Sequence, residues 1–205
     1  MWQAPQIASI AEPNLTFGSR FLQHFVPAEW RLIIMKKLVA FYSRADENYF
    51  GGSLKYISVG NTEKIAKMIV EITGADMYKI EQKVPYSKDY NECIAQAKED
   101  LHNNARPEIL NMPENLDEYD EIYLGYPNYW GTMPMAVYTF LEAYDFEGKK
   151  IYPFCTHEGS GMSRTASDIK KCAKGAEVLK GLAIQGSKVD NARKTIEEWN
   201  AQIEK

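Results

Sequence analysis

The sequence predicts an α/β fold: an open, doubly wound sheet of five parallel strands with helices on both faces. Three observations carry that prediction. From Met35 onward, five strand-like segments alternate with five helical ones, a pattern that means parallel strands joined by crossover helices covering both faces. The alternating span is about 170 residues, too short for an eight-fold barrel, so the sheet stays open. Three of the strands run into loops of glycine, hydroxyl and aromatic residues. An open sheet of this kind binds its ligand beyond the carboxyl ends of its strands.

Each element has its own signal. Residues 37–42 are mostly apolar and stop at Ser43, as a strand buried on both faces does. Asn61 to Thr73 reads as a helix, because Ile65, Met68, Ile69 and Ile72 share one face and Gly74 can end it. Residues 75–81 alternate and form the second strand; 89–103 are helical, though largely polar. Tyr119 to Tyr126 contains the run Ile122-Tyr123-Leu124-Gly125, a third strand. Pro134 suits the first turn of the next helix, with Val137, Phe140, Leu141 and Tyr144 on one side. Lys150 to Thr156 is the fourth strand, in which Pro153 is awkward because it removes a ladder donor. A helix over 163–173 turns Ala166, Ile169 and Ala173 inward. A short fifth strand lies near 181–185. The last helix starts at about 189, with Val189, Ala192, Ile196, Trp199 and Ile203 in register.

Composition narrows the function. The 205 residues are 45% hydrophobic and 25% charged, with a net charge of −4. That is ordinary globular composition, and its acidic balance argues against nucleic acid as the main partner. No apolar run approaches the roughly 20 residues of a spanning helix, so no membrane role is expected. Cys93, Cys155 and Cys172 are too few and too scattered for a disulfide framework and have no zinc spacing. They read as inert thiols of a cytoplasmic protein. His24, His102 and His157 are likewise too dispersed for a metal site. Residues 1–34 hold four charged side chains (Glu12, Arg20, Glu29, Arg31) and lack the basic and apolar regions of a secretory signal. They read as an extra N-terminal segment, with natural translation beginning at Met35 and the domain running over 35–205. The alternative is a short helix after Pro27.

The first of the three loops has Ser43 at one end and Gly60-Asn61-Thr62 at the other, where a helix begins. Hydroxyls and backbone N–H groups at a helix N-terminus make an anion site. The lysine of a nucleoside-triphosphate loop and the fingerprint of a dinucleotide loop are both missing, which suits a terminal phosphomonoester. The second loop, Pro127-Asn128-Tyr129-Trp130-Gly131-Thr132-Met133-Pro134, places two large rings after a buried strand. Those rings are suited to stack on a flat ligand, which Gly131 lets approach closely. The third loop, Thr156-His157-Glu158-Gly159-Ser160-Gly161, exposes backbone donors that can bond the edge of a heterocycle. It is not a hydrolase site, since no G-x-S-x-G elbow is present.

Together these residues resemble the flavodoxin family, over about 36–204. Gly125 to Pro134 looks like the flavin-ring loop of bacterial short-chain flavodoxins, and Phe154 to Gly161 is similar to their third flavin loop. Ser43 and Gly60-Asn61-Thr62 match the two ends of the family phosphate loop. The resemblance implies a flavodoxin-like sheet with strand order 2-1-3-4-5 and FMN bound non-covalently. Ser43, Arg44, Asn61 and Thr62 would hold the phosphate. Pro127, Asn128, Tyr129, Trp130 and Gly131 would flank the ring. Thr156, His157, Gly159, Ser160 and Gly161 would line its other side and polar edge. It implies an electron carrier working between redox partner proteins, a reductase and an acceptor, with no catalytic acid or base. The alternative is an NAD(P)H-dependent FMN quinone or azo reductase of the same fold. Two features depart from the family pattern. Residues 45–59 interrupt a loop that is usually compact, and Asn128 stands where an apolar residue is common.

Overall fold

The computed structural model describes residues 35–203; the expectations for residues 1–34 lie outside them. Strand β1 (Lys37–Phe41) sits at the centre of the main sheet. It pairs in parallel with β4 (Asp76–Lys79) on one side and β5 (Glu121–Pro127) on the other. Strand β6 (Lys150–His157) follows on β5. Two short strands, β7 (Glu177–Val178) and β8 (Leu182–Gln185), share the far edge of β6. Taking those two as one strand, the order is the expected 2-1-3-4-5.

Pro153 explains the split. The carbonyl of Ile151 accepts the N–H of Leu179, so alternate residues of β6 face the edge strand. Pro153 is the next such residue and has no N–H to give. The edge strand therefore breaks opposite it, between Val178 and Leu182.

Side-chain alternation along the strands builds two cores. Val39, Phe41, Tyr123, Tyr152 and Phe154 face helices α1 (Asn61–Thr73) and α5 (Arg193–Ile203). Leu38, Ala40, Ile122, Leu124 and Ile151 face the opposite side. There they meet α3 (Met135–Glu142) and α4 (Thr165–Cys172), through Val137, Phe140 and Ile169. Helix α2 (Tyr90–His102) lies on that side as well, and its Leu101 packs against this core. Ile65 and Ile69 of α1 are each 1% exposed, and each contributes about 1.5–3 kcal/mol of burial free energy. Helix α1 ends as expected, with Gly74 left-handed at φ 69°. The last helix begins later than expected: Val189 and Ala192 are buried, but the 3₁₀ stretch Gly186–Asn191 carries the chain up to α5.

The segment 45–59 is itself structured. Strands β2 (Asp46–Phe50) and β3 (Ser53–Ile57) pair antiparallel as a separate hairpin. Gly51 and Gly52 turn it at φ 61° and 84°, the two positive values that a two-residue hairpin loop needs. Among the described residues, no helix is long and apolar enough to cross a membrane.

Candidate functional site

The chain leaves β1 toward β4 on one side and later toward β5 on the other. The crevice between β1 and β5 is therefore the switch point of the sheet. A cavity of about 270 Å³ lies there, at the carboxyl ends of the strands. Its wall contains ten of the fourteen residues picked out in the sequence: Ser43, Arg44, Asn61, Thr62, Pro127, Asn128, Tyr129, Trp130, Thr156 and His157. Gly131, Gly159, Ser160 and Gly161 are not among the wall residues; Gly131 follows Trp130 in the second loop, and the other three follow Glu158 in the third.

One end of the cavity is the N-terminus of α1. Gly60 is the cap residue and supplies no side chain; the cap comes instead from Ser43, whose Oγ accepts the Glu63 N–H at 3.0 Å. The N–H groups of Asn61 and Thr62 belong to the first turn, where a helix leaves its donors without intrahelical partners. Thr62 is buried, and its hydroxyl lies 2.7 Å from that of Thr156. Thr156 thus joins the first loop, although its sequence position puts it with the third. A Cβ on Gly60 would overlap Ser43 Oγ and the Arg44 carbonyl. Gly60→Ala is therefore expected to lower stability by about 1–2 kcal/mol, read as a lower Tm. An unchanged Tm would mean that the loop has room to move.

Arg44 behaves differently from the expectation. Its Nη2 donates to the carbonyls of Ser87 and Lys88, both at 2.7 Å, and its Nη1 donates to the carbonyl of Glu47. The guanidinium ties the hairpin root to the loop before α2, and in this arrangement it is not aimed at an anion. Five donors in a rigid fork suit the gathering of several carbonyls.

The aromatic loop is a tight turn. Tyr129 and Thr132 exchange both backbone hydrogen bonds, at 2.8 and 3.0 Å. Trp130 and Gly131 have φ of 55° and 79°, which makes a type I′ turn. Glycine adopts such an angle freely; tryptophan does so at a cost of about 1–2 kcal/mol. The turn separates the two rings. Tyr129 goes inward, edge-on to Tyr42 at 6.4 Å. Trp130 stays outside, 47% exposed, with its Nε1 donating to the Ile94 carbonyl at 2.9 Å. Lys98 lies over its ring, 5.2 Å from the centroid.

Asn128 braces two loops. Its Oδ1 accepts the Gly131 N–H at 3.0 Å, and its Nδ2 donates to the Gly161 carbonyl at 2.9 Å. An apolar residue could do neither, which accounts for asparagine here. Behind the turn lies Asp168 of α4, which is buried. It accepts from Thr132 Oγ1 at 2.8 Å, Tyr138 OH at 3.0 Å and Arg164 Nε at 3.0 Å. Burial alone would raise its carboxyl pKa; these three hydrogen bonds together outweigh burial and hold it below the usual carboxylate range. In the third loop, His157 Nδ1 accepts the Gly159 N–H at 2.9 Å. Burial lowers the His157 pKa, and the charge of Glu158 opposes that shift only in part.

Sequence reasoning missed the rest of the wall. Asn48, Tyr49 and Phe50 come from the hairpin, and Tyr90, Cys93, Ile94 and Ala97 from α2. The α2 positions are spaced as one helix face, a stripe hidden by the polar composition of that helix. Burial raises the Cys93 thiol pKa, so it remains protonated and apolar in character. Glu158 and Gly186 complete the wall.

Comparison with known proteins agrees with this architecture. Residues 53–203 match the model of a family described as flavodoxin. A candidate flavoprotein from Bacteroides uniformis is 26% identical, with a TM-score of 0.66 over 82% of this chain and 98% of that one. Another, from Bacteroides eggerthii, is also 26% identical, with a TM-score of 0.60 over 78% and 97%. A flavoprotein in complex with FMN, from Lactobacillus acidophilus, is 23% identical, with a TM-score of 0.54 over 77% and 98%. The search of curated proteins gave no match. With the family match covering most of its length and the fold in agreement, the chain belongs to the flavodoxin family.

Proposed function

We propose that the cavity holds FMN and that the protein carries electrons between redox partner proteins. The observation that carries this reading is a single cavity with two chemically different ends. At one end, hydroxyls and helix N-terminal N–H groups converge without a lysine. At the other, Trp130 and the Tyr90–Ala97 stripe offer flat apolar surface. A phosphomonoester joined to a planar heterocycle matches both ends.

In this reading Ser43, Asn61 and Thr62 hold the phosphate, helped by the positive end of the α1 dipole. Trp130 covers one part of the ring, already anchored to α2 and needing little further ordering. Asn128 keeps the turn and the third loop at a fixed separation. FMN, when bound, supplies one-electron redox chemistry that no side chain here has. Cys93 is protonated and apolar in character, and the His157 Nδ1 lone pair is occupied by the Gly159 N–H. Neither acts as a base. The net negative charge of the chain disfavours further negative charge on the cofactor and sets up salt-sensitive contacts with partners.

The test is an anaerobic visible spectrum of FMN-reconstituted protein before and after addition of NADPH. A flavin band that persists, and bleaches only when a separate reductase is supplied, is the expected outcome. Rapid bleaching by NADPH alone would identify an NAD(P)H-dependent quinone or azo reductase of the same fold. A protein that retains no flavin would remove both readings.

A further inference from the structure

The β2–β3 hairpin crosses the cavity from one side to the other, and the two ends of that crossing are held very differently. At its root, the Arg44 guanidinium gathers the carbonyls of Ser87, Lys88 and Glu47. The Glu47 carboxylate accepts the Tyr90 N–H at 3.0 Å, the Glu47 N–H donates to the Lys88 carbonyl at 3.3 Å, and Asn48 Nδ2 donates to the Ala45 carbonyl at 3.0 Å. The root is thus fastened to the start of α2 by several bonds.

The tip rests on different elements. The Gly51 N–H donates to Glu158 Oε2 at 3.1 Å. Phe50 lies against Gly186, where an added Cβ would come within 3.0 Å of Phe50 Cβ. Between root and tip, Asn48, Tyr49 and Phe50 form part of the cavity wall. On its outward side the hairpin is loosely covered: Leu54 and Tyr56 are 46% and 72% exposed.

From this asymmetry we propose that the hairpin is a strap, hinged at Arg44–Glu47 and latched at its tip by Glu158, that governs how fast the cofactor enters and leaves. The proposal rests on the cavity being the FMN site. A segment fastened by many bonds at one end and by one exposed hydrogen bond at the other opens at the weak end. Opening there moves Asn48, Tyr49 and Phe50 off the cavity without disturbing the main sheet, from which the hairpin is separate. The glycine pair at the tip leaves the Gly51 N–H unshielded for the carboxylate, and Gly186 leaves room for Phe50 beneath it.

The geometry also supplies the test. A Cβ built on Gly51 lies 3.5 Å from Ser187 Cβ, and disulfides bridge Cβ atoms about 3.5–4.5 Å apart. In the double variant Gly51→Cys/Ser187→Cys of the full chain, oxidation would bolt the tip shut. FMN release, followed by flavin fluorescence after dilution into excess apo-flavodoxin acceptor, is expected to slow about tenfold or more in the oxidised form, and FMN uptake by the oxidised apoprotein to slow likewise. A phosphine reductant should return the variant to the faster rates it shows before oxidation. Glu158→Ala is expected to speed release about tenfold, the loss of one charge-assisted hydrogen bond, with little change in apoprotein Tm.

Equal exchange rates in the oxidised and reduced double variant would overturn the strap. So would a Glu158→Ala variant that releases FMN at the wild-type rate. Wild-type protein that takes up no FMN would overturn the cofactor reading itself, an outcome separate from cross-link-insensitive exchange.

Discussion

Asp168→Ala is expected to lower stability by about 3 kcal/mol, because the buried Thr132 and Tyr138 hydroxyls and the more exposed Arg164 guanidinium lose one acceptor together. At about 2–4 °C per kcal/mol for a domain of this size, Tm should fall by about 6–12 °C. Thr132, Tyr138 and Arg164 converge on this carboxylate, and the Thr132 and Tyr138 hydroxyls also lie 2.7 Å from each other. Thr132 also closes the I′ turn, so the damage should reach Trp130 and appear as altered tryptophan fluorescence. The pH dependence has a definite sign. The folded-state carboxyl pKa lies below the ordinary value. Its contribution is therefore complete above the unfolded value of about 3.9 and is lost as pH falls through the folded one. Wild type and variant should converge in stability once the pH has fallen below the depressed folded-state value. A gap that persists there would assign the effect to packing rather than to charge.

Trp130→Ala should weaken FMN binding by about 2 kcal/mol, or about thirtyfold in Kd, from lost ring stacking and burial. The indole is half exposed at the cavity wall and held by its hydrogen bond to Ile94 and by Lys98. Fixing the ring beforehand reduces the ordering that binding must supply. Alanine keeps the unfavourable positive φ while losing the ring, so apoprotein stability should change less than binding does. Trp130→Phe should recover much of the affinity. Titration with FMN and measurement of the midpoint potential would check both variants; unchanged values in Trp130→Ala would remove Trp130 from the ring wall.

The parts of the site that were legible and those that were not differ in how local their signals are. Ser43, Asn61 and Thr62 stand at strand and helix ends that periodicity marks, so their gathering at one end of the cavity follows from strand order. The hairpin was obscured because Asp46, Glu47 and Asn48 are poor strand formers, although Gly51-Gly52 was a usable turn signal. The Tyr90–Ala97 stripe of α2 was masked by the polar residues around it. Asn128 and Arg44 were read for residue type, and their roles came from where their hydrogen bonds went.

Local sequence signals were enough for the succession of main-sheet strands and helices, their parallel arrangement and the edge at which ligand loops collect. Each of these depends on periodicity and burial within a few residues, or on the handedness of short connections. Which side chains face the cavity and which brace it depends on contacts between segments far apart in the chain. Arg44 meets carbonyls at 87 and 88, Asn128 meets Gly161, and Gly51 meets Glu158, which is 107 positions away. A polar side chain turns toward whatever partner the folded chain brings within hydrogen-bonding distance, and that partner is set by packing between distant segments rather than by neighbours along the chain.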